Sequence, residues 1–402
     1  MELLVVSTWL PNPPDNGSRI RADELVRQLA RRHSVTLLSF GAPTLPDGLV
    51  ALRSLCRHVE VVPPTTLRGG RLGMRGLLSP VPRYFVQTES ARMGSLVAAH
   101  VLRHHAAMAL QVNAALYLSR WQAIPRIFEE VEVGIYRDAP SREASAAGRG
   151  RRRLTRWKSR RYFRGLVNRF DRSTVVSETE RDQLVAIGCD RNRIAVVRNG
   201  MHAPEVLLPR AVRAWQLVYP GSVTYSANLD AVRHFVREVL PHVRRARSEV
   251  TFVVTGSTEG VEIADLAACE GVTFTGHLPD IDPLVMESAA CVVPLRIGGG
   301  TRLKVLQAMA LGTPVVSTEK GIEGLDVEPG RDVLVADGSQ SFAAQVLRVL
   351  SEPALAAALS TNGHRLVRER YGWDAIGEVL EAVVHAAVDD HASRSRADGR
   401  RR

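Results

Sequence analysis

A glycine-rich turn followed by two cations is the part of the chain best suited to chemistry. Residues 298–304 read Gly-Gly-Gly-Thr-Arg-Leu-Lys, between an apolar run at 290–295 and a helical pattern that leads into a second run at 314–317. Such a strand–turn–helix unit offers backbone N–H groups and a helix N-terminus to an anion. Arg302 and Lys304 lie in the first helical turn, where the helix dipole disfavours cations. The pattern indicates a site for a multiply charged anion such as a nucleotide diphosphate, with a plain solvated turn as the alternative.

The length and the cysteines limit the classes of protein to consider. At 402 residues the chain is too long for one ordinary core, so we expect two domains. Residues 3–10 lack the flanks of a secretion signal, and no apolar run is long enough to cross a bilayer. We therefore expect a cytoplasmic protein, with the inner face of the membrane as a further location. No cofactor is expected, and the four cysteines suggest no metal site because they have no ligand spacing: Cys56, Cys189, Cys269 and Cys291.

The positive charge predicts anionic partners. Lys and Arg number 53 against 42 Asp and Glu, a net charge of +11, and nine of the sixteen residues at 149–164 are basic. Leu154, Trp157, Tyr162 and Phe163 are interleaved with those charges. The segment suits an anionic lipid surface or a polyanionic acceptor. The alternatives are nucleic acid, which we do not expect as a partner, and a solvated helix that its aromatic residues anchor to its own domain.

Strands alternate with helices in both halves of the sequence, which predicts parallel sheets covered on both faces. The first doubly wound domain is expected at residues 1–205 and the second at 206–370. The helical pattern at 371–388 is expected to pack back on the first domain, and the basic tail at 389–402 to be disordered. Two such domains facing each other would place a ligand at the carboxyl ends of their strands.

A set of short motifs in a fixed order resembles a retaining glycosyltransferase of family four, the group 1 glycosyl transferases. The set comprises Val176-Ser177-Glu178, Val197-Arg198-Asn199-Gly200, Pro220-Gly221-Ser222, Asn228-Leu229-Asp230-Ala231 and Gly312-Thr313-Pro314-Val315-Val316. The resemblance implies the GT-B fold, with the acceptor on the first domain and a nucleotide-sugar donor on the second, without a metal. It also implies retention of anomeric configuration and a role in bacterial surface polysaccharide or glycolipid assembly.

The resemblance also implies roles for individual residues. Arg302 and Lys304 would neutralise the leaving phosphate, and Glu129 stands where the family usually has a catalytic histidine. Gln307 stands where a glutamate usually binds the ribose hydroxyls. The remaining donor-binding positions are Asn16 and Gly17 at the phosphate, Gly221 and Ser222 on the opposite wall, His277 at the base, and Gly298, Gly299, Gly300 and Thr301 at the sugar and diphosphate.

Departures from the family pattern keep other functions open. The paired glutamates of the family, eight positions apart, correspond here to Gly299 and Gln307. A catalytically inactive GT-B scaffold that binds a partner is therefore the main alternative. A dinucleotide-dependent oxidoreductase is disfavoured, because neither first turn, at residues 15–18 or 221–224, has the GxGxxG pattern. A nucleic-acid-binding protein would rest on charge alone.

Overall fold

The computed structural model describes residues 1–13, 17–41, 46–63, 90–129, 146–207, 209–298 and 302–399. The chain divides into two compact units. Unit 1 comprises Met1–Arg198 and Ile376–Arg402, and unit 2 comprises Asn199–Ala375. Each unit has a parallel sheet with helices, so the predicted α/β class with two doubly wound domains is confirmed.

Unit 1 has a seven-stranded parallel sheet in the order β3-β2-β1-β4-β5-β6-β7. The sequence order of the strands reverses between the neighbours β1 and β4. Its strands are β1 (Glu2–Ser7), β2 (Ser34–Phe40), β3 (His58–Val62), β4 (Ala106–Leu110), β5 (Arg126–Glu129), β6 (Arg172–Val175) and β7 (Ile194–Val196). Its helices before unit 2 are α1 (Gly17–Ala30), α2 (Pro46–Leu55), α3 (Ala91–His100), α4 (Gln111–Leu118), α5 (Ala146–Val167) and α6 (Glu178–Ala186).

Unit 2 has a six-stranded parallel sheet in the order β10-β9-β8-β11-β12-β13. The sequence order of the strands reverses between the neighbours β8 and β11. Its strands are β8 (Arg213–Tyr219), β9 (Thr251–Val254), β10 (Val272–Phe274), β11 (Ser288–Val293), β12 (Val315–Ser317) and β13 (Leu334–Val335). Its helices are α7 (Ser226–His234), α8 (Leu240–Ala246), α9 (Ala264–Ala267), α10 (Asp282–Glu287), α11 (Leu303–Ala310), α12 (Ser339–Ser351) and α13 (Pro353–Leu366). π-Helical turns at Phe235–Val239 and Val367–Tyr371 follow α7 and α13.

The strands form where the sequence is continuously apolar, because a parallel strand is buried on both faces. In β1, Val5 pairs in parallel register with Leu37 of β2 and Met108 of β4, and all three side chains are buried. In unit 2, Cys291 of β11 pairs with Val218 of β8 and is likewise buried. Continuous burial of this kind fixes the strand order and brings the carboxyl ends of all strands in a sheet to one edge.

The last helix, α14 (Trp373–Gly399), belongs to unit 1 from Ile376 onward. It buries Leu380 and Val384. The sequence predicts a disordered tail at 389–402, but the structure continues the helix through Gly399. Ion pairs account for the difference: Arg394 pairs with the buried Asp171, which the Nδ1 of His391 also approaches at 3.4 Å.

The described helices are too short or too polar to cross a membrane singly. No single one of them has the length and apolar composition that a bilayer span needs. The segments Ser339–Ser351 and Pro353–Tyr371 meet that test only as a pair, across a bend of 98°, and by length and composition alone. In unit 2 this pair contributes Phe342, Val346 and Leu359 to the buried core.

Candidate functional site

The predicted donor-binding residues of unit 2 lie at the point where the strand order of its sheet reverses. Gly221 and Ser222 follow β8, and Gly298 follows β11, and these two strands are neighbours. In open parallel sheets, the space outside the carboxyl ends of two such strands is where ligands bind. The order of the strands therefore brings together two turns that are 77 positions apart in the sequence.

Lys304 reaches from α11 to the turn after β8. Its Nζ donates a hydrogen bond of 3.0 Å to Oδ1 of Asn228 and lies 3.8 Å from the centre of the Tyr219 ring. It also lies so close to Gly221 that a β-carbon there would be 2.7 Å from the ammonium. Tyr219 donates to the same Asn228 oxygen at 2.7 Å. Lys304 thus occupies one defined position, with its charge at the switch point.

Burial, with a smaller contribution from the nearby Arg302, lowers the pKa of Lys304 from its ordinary value to about 7. Although the residue as a whole is half-buried, its ammonium lies against an aromatic ring and a backbone turn. A lysine of this kind is charged in only part of the molecules at neutral pH. An anion placed beside it would favour the protonated form, so binding of the anion and of a proton would be coupled.

The turn after β8 is built against Gly256. A β-carbon on Gly256 would lie 2.5 Å from the Ser222 nitrogen, and the φ of Gly256 is +95°, which other residues rarely adopt. Ser222 Oγ donates to the Ser257 carbonyl at 2.8 Å, and Asn228 Nδ2 donates to the Ser222 carbonyl at 2.7 Å. These contacts fix Gly221 and Ser222 relative to Lys304.

We expect Gly256→Ala to destabilise unit 2 by at least about 2 kcal/mol, since it adds a backbone clash to an unfavourable φ. Gly260→Ala is the matched control: its φ is +70°, but no atom lies within 4 Å of the added carbon. That variant should lose only about 1 kcal/mol, the cost of the left-handed backbone. Urea denaturation of both variants measures the difference, and equal losses would contradict the packing of Gly256 against Ser222.

Arg302, which the resemblance places at the leaving phosphate, is folded back on the protein and makes hydrogen bonds within unit 2. Its side chain is only 5 % exposed. Its Nε donates to the Lys320 carbonyl at 3.1 Å, and its Nη2 donates to the Gly298 carbonyl at 3.1 Å and to Glu323 Oε2 at 3.3 Å. Because guanidinium groups suit several acceptors at once, Arg302 holds the turn after β11 in place. It is a positioning residue in this structure.

The turn that Arg302 holds also requires a glycine at position 298. The φ of Gly298 is +103°, and a β-carbon there would lie 2.9 Å from the Ala227 β-carbon on α7. The small side chain of Ala227 leaves room for this turn.

A cavity of about 590 Å³ opens at the same edge of the unit 2 sheet. It is lined by residues that follow β11, β12 and β13, with charges of both signs: Leu295, Arg296, Thr318, Glu319, Lys320, Glu323 and Asp337. Lys320 Nζ lies 2.6 Å from Glu323 Oε2, the carboxylate that also pairs with Arg302. The cavity therefore adjoins the turn at Gly298.

Gln307 forms a contact that the sequence does not reveal. Its Nε2 donates a hydrogen bond of 2.7 Å to Oδ1 of Asp282, the first residue of α10. Both side chains are half-buried. His277 is exposed in the loop before α10, next to Gly276, whose carbonyl accepts from the Gly256 N–H at 2.9 Å. A carboxylate is thus present beside position 307, although residue 307 is an amide.

Glu129, predicted as a catalytic residue at the end of β5, is buried in an ion pair within unit 1. It is 1 % exposed and accepts a 3.0 Å hydrogen bond from Nε of Arg21, which is equally buried. Thr174 donates to the same oxygen at 3.3 Å, and Arg21 donates to the Val197 and Arg198 carbonyls at 2.8 Å each. The contacts are those of a structural pair that joins α1, β5 and β6, not of a carboxylate lining an open cleft.

Each of the two parts of the chain matches a protein-family model. Residues 15–203 match the model described as Glycosyltransferase Family 4, and residues 215–352 match the model described as Glycosyl transferases group 1. The chain belongs to glycosyltransferase family 4. The predicted family is thereby confirmed, and the two matches together include every predicted site residue.

Curated relatives of this family 4 chain include two bacterial proteins at 27 % identity. One is the lipopolysaccharide core biosynthesis mannosyltransferase LpcC of Rhizobium leguminosarum bv. viciae, aligned over 43 % of this chain and 51 % of the relative. The other is the D-inositol 3-phosphate glycosyltransferase of Rhodococcus opacus (strain B4), aligned over 56 % of this chain and 55 % of the relative. The chain thus spans about half the length of the curated relatives that it matches.

Solved structures similar to this chain cover almost all of it. HepE of Anabaena in complex with UDP and glucose superposes with a TM-score of 0.63 at 15 % identity, over 95 % of this chain and 99 % of HepE. The sucrose-phosphate synthase of Thermosynechococcus elongatus superposes with a TM-score of 0.66 at 16 % identity, over 96 % and 98 %. At such identities the likeness shows the fold, which is GT-B with two Rossmann-like domains.

The structure brings several of the residues carried over from family 4 together and leaves others undescribed. Gly221, Ser222, Gly298, Arg302 and Lys304 converge at the switch point of unit 2, as described above. Gly17 is the exposed first residue of α1. Asn16, Gly299, Gly300 and Thr301 lie outside the described residues. Asn228 and Asp282 contact predicted site residues but were not themselves predicted from the sequence. Asn228 belongs to the motif Asn228-Leu229-Asp230-Ala231, which could have indicated it.

Proposed function

We propose that this chain transfers a sugar from a nucleotide diphosphate sugar to an acceptor hydroxyl with retention of anomeric configuration and without a metal. The bond from the anomeric carbon to the diphosphate oxygen breaks, and the acceptor oxygen bonds to the same face of that carbon. The acceptor proton passes to the leaving phosphate oxygen. The protein contributes position and charge stabilisation, so the reaction needs no side-chain nucleophile.

The position of Lys304 is the observation that carries this proposal. Its ammonium lies against the turn after β8, at the switch point of the sheet, where a diphosphate would be bound. The similar structure of HepE holds UDP and glucose, which supports a uridine nucleotide as the first donor to examine. The names of the relatives support an acceptor in a surface polysaccharide or a glycolipid, recognised by unit 1.

Thermal denaturation with a panel of UDP-, GDP- and ADP-sugars tests the proposal, since a bound ligand raises the stability of the folded state. We expect one nucleotide class to raise the melting temperature with saturation and without added metal. NMR of the product formed with that donor would then report its anomeric configuration. An inverted product would contradict the proposed mechanism, and no response to any nucleotide would contradict the proposed function.

Asp282 and Gln307 together take the place of the ribose-binding glutamate in this proposal. We expect Asp282→Asn to weaken nucleotide binding about tenfold, ~1.4 kcal/mol, because it removes the only formal charge of the pair. Gln307→Glu in the Asp282→Asn background should restore binding, since it exchanges the amide and the carboxylate across the same 2.7 Å contact. Calorimetric titration of the nucleotide measures both effects.

The control for this pair is Glu287→Gln at the other end of α10, where the carboxylate pairs with the exposed Arg213. It should bind the nucleotide as the unaltered protein does. If the double variant binds no better than Asp282→Asn, the two side chains do not share one role at the ribose.

A catalytically inactive GT-B protein that binds a nucleotide or a partner is the second candidate. The observation that favours it is the loss of both family glutamates, at Gly299 and Gln307. Slow hydrolysis of the donor separates the two candidates, because a transferase without its acceptor usually passes the sugar to water. Nucleotide binding without any release of free sugar, with or without acceptors, would favour the inactive protein.

The basic segment at 149–164 supports contact with an anionic membrane in this proposal, at the inner face of the cell membrane. In α5, Phe163 is buried and anchors the helix, whereas Trp157 is 59 % exposed and stacks with Arg161 at 6.0 Å. An exposed tryptophan beside arginines suits the interface of such a membrane. Co-sedimentation with phosphatidylglycerol vesicles should fall in Trp157→Ala, and equal binding to neutral vesicles would contradict the proposal.

A further inference from the structure

A group of histidines at the edge of the unit 1 sheet has no part in the proposed transfer reaction. His58 and Glu60 project from the same face of β3, because side chains two positions apart on a strand share a face. His100 ends α3 and stacks on His58, with ring centres 5.5 Å apart and an angle of 22° between the planes. His58 and Glu60 belong to β3, which is an edge strand of the described sheet.

The three side chains bring their donor atoms together. His58 Nε2 lies 3.1 Å from Glu60 Oε1, and His100 Nε2 lies 4.0 Å from the same oxygen. All three ligand atoms lie within 4.8 Å of one another, and no other group of three His, Cys, Asp or Glu residues in the described ranges does so. In a tetrahedral zinc site with bonds of about 2.0–2.1 Å, ligand atoms are roughly 3.3 Å apart. A contraction of roughly 1 Å through side-chain rotation, which half-exposed residues allow, would close the set around an ion.

The surroundings of His100 hold the end of α3 in place and favour the neutral form of this imidazole. His104 joins the end of α3 to the neighbouring strand β2: its Nε2 lies 2.9 Å from Thr36 Oγ1, and its Nδ1 lies 2.8 Å from the His100 carbonyl. Burial and the neighbouring His58 lower the pKa of His100, although Glu60 opposes the shift. A neutral imidazole is the form that ligates a metal.

We propose that His58, Glu60 and His100 form a binding site for one divalent transition metal ion of the zinc class. Two imidazoles and one carboxylate suit Zn²⁺, Co²⁺ or Ni²⁺ rather than Mg²⁺ or Ca²⁺, which prefer oxygen ligands. Three protein ligands leave a further coordination position for water. His58 is the first residue of β3, so the site lies towards the amino ends of the strands, at the opposite edge from a switch-point ligand.

The role that follows is structural. An ion held by these residues would join the edge strand β3 to α3, two elements far apart in the sequence, and would stabilise the folded state of unit 1 by its binding free energy. The inference does not rest on the proposed transferase function. A metal here would leave the metal-free diphosphate site in unit 2 unaffected.

Cobalt and zinc titrations of the full chain, without a histidine tag and freed of metal by chelation, test the inference. We expect one Co²⁺ per chain, a visible absorption band typical of nitrogen and oxygen ligands, and a rise in melting temperature with Zn²⁺. His100→Ala and Glu60→Gln should weaken binding at least about tenfold and abolish the rise. The control His242→Ala, a half-exposed histidine on α8, should behave as the unaltered chain does.

Several outcomes would overturn the inference. They are the absence of a cobalt band, several weak ions whose number does not change in the variants, or an equal zinc effect in His100→Ala and in the unaltered chain. Should His100→Ala fail to fold, His58→Ala replaces it, because the His58 side chain is 46 % exposed and its loss leaves little packing to disturb.

Discussion

Lys304→Met should lower the rate of sugar transfer by about 10²–10³-fold, as expected when a preorganised charge at a leaving group is removed. Methionine keeps much of the apolar stem that lies against Tyr219 but has no ammonium. The loss is expected to be large because Arg302, the other predicted cation, is occupied by the Gly298 and Lys320 carbonyls and by Glu323. Transfer kinetics and nucleotide-induced thermal stabilisation are the measurements.

Proton uptake gives this prediction a second, independent readout. The pKa of free Lys304 is lowered to about 7 by burial, so at pH 8 most molecules carry it neutral. A bound diphosphate favours the charged form, and binding at pH 8 should therefore take up a proton, whereas binding at pH 6 should not. Calorimetry in two buffers with different protonation enthalpies measures the uptake, which should disappear in Lys304→Met.

The control is Arg237→Met, which removes a surface cation of unit 2 paired with Asp265. It should change neither rate nor proton uptake. If Lys304→Met retains the rate and the thermal response of the unaltered chain, the donor phosphate does not lie at the switch point.

Glu129→Ala should lower the free energy of unfolding of unit 1 by about 3–5 kcal/mol, since it removes one member of a buried ion pair. The Arg21 guanidinium of that pair is 1 % exposed and also donates to the Val197 and Arg198 carbonyls. Chemical denaturation followed by near-UV circular dichroism measures the change.

Two further variants separate a structural role for Glu129 from a catalytic one. Glu2→Ala removes an ion pair with Arg57 that is largely exposed, and it should cost no more than about 1 kcal/mol. Arg21→Met with Glu129→Leu removes both buried charges and should recover most of the stability. A Glu129→Ala protein that unfolds like the unaltered chain but transfers sugar far more slowly would restore the catalytic interpretation.

The sequence predicted the fold well because apolar runs mark parallel strands directly. The apolar runs predict strands at residues 2–7, 34–40 and 58–62, and β1, β2 and β3 have the same bounds in the structure. The central strand β4, Ala-Ala-Met-Ala-Leu, was missed. Alanine has a low preference for strands, and the tertiary context decides its structure, since β4 is buried between β1 and β5. Local pattern cannot report a position in the middle of a sheet.

The sequence predicted the site less completely, because side-chain partners are distant in the chain. Lys304 and Gly221 were both predicted, but not that the ammonium of one lies against the backbone of the other. The partner of Glu129 is 108 positions away, and that of Gln307 is 25 positions away. No spacing rule in the sequence connects such pairs. The sequence therefore could not show that Glu129 forms a buried ion pair with Arg21, or that the Gln307 amide contacts the Asp282 carboxylate.

The return of the chain to unit 1 through α14 has a consequence for synthesis on the ribosome. Unit 2 is encoded by one uninterrupted stretch, so its sheet can be completed while translation continues. Unit 1 cannot be completed until α14 has been synthesised, because the contact between His33 and Glu381 joins residues 348 positions apart. The apolar surface that Leu380 and Val384 cover stays exposed until α14 packs. The part of unit 1 that precedes unit 2 therefore emerges before unit 2 but completes its folding after it, and its uncovered apolar surface is available to chaperones during that interval.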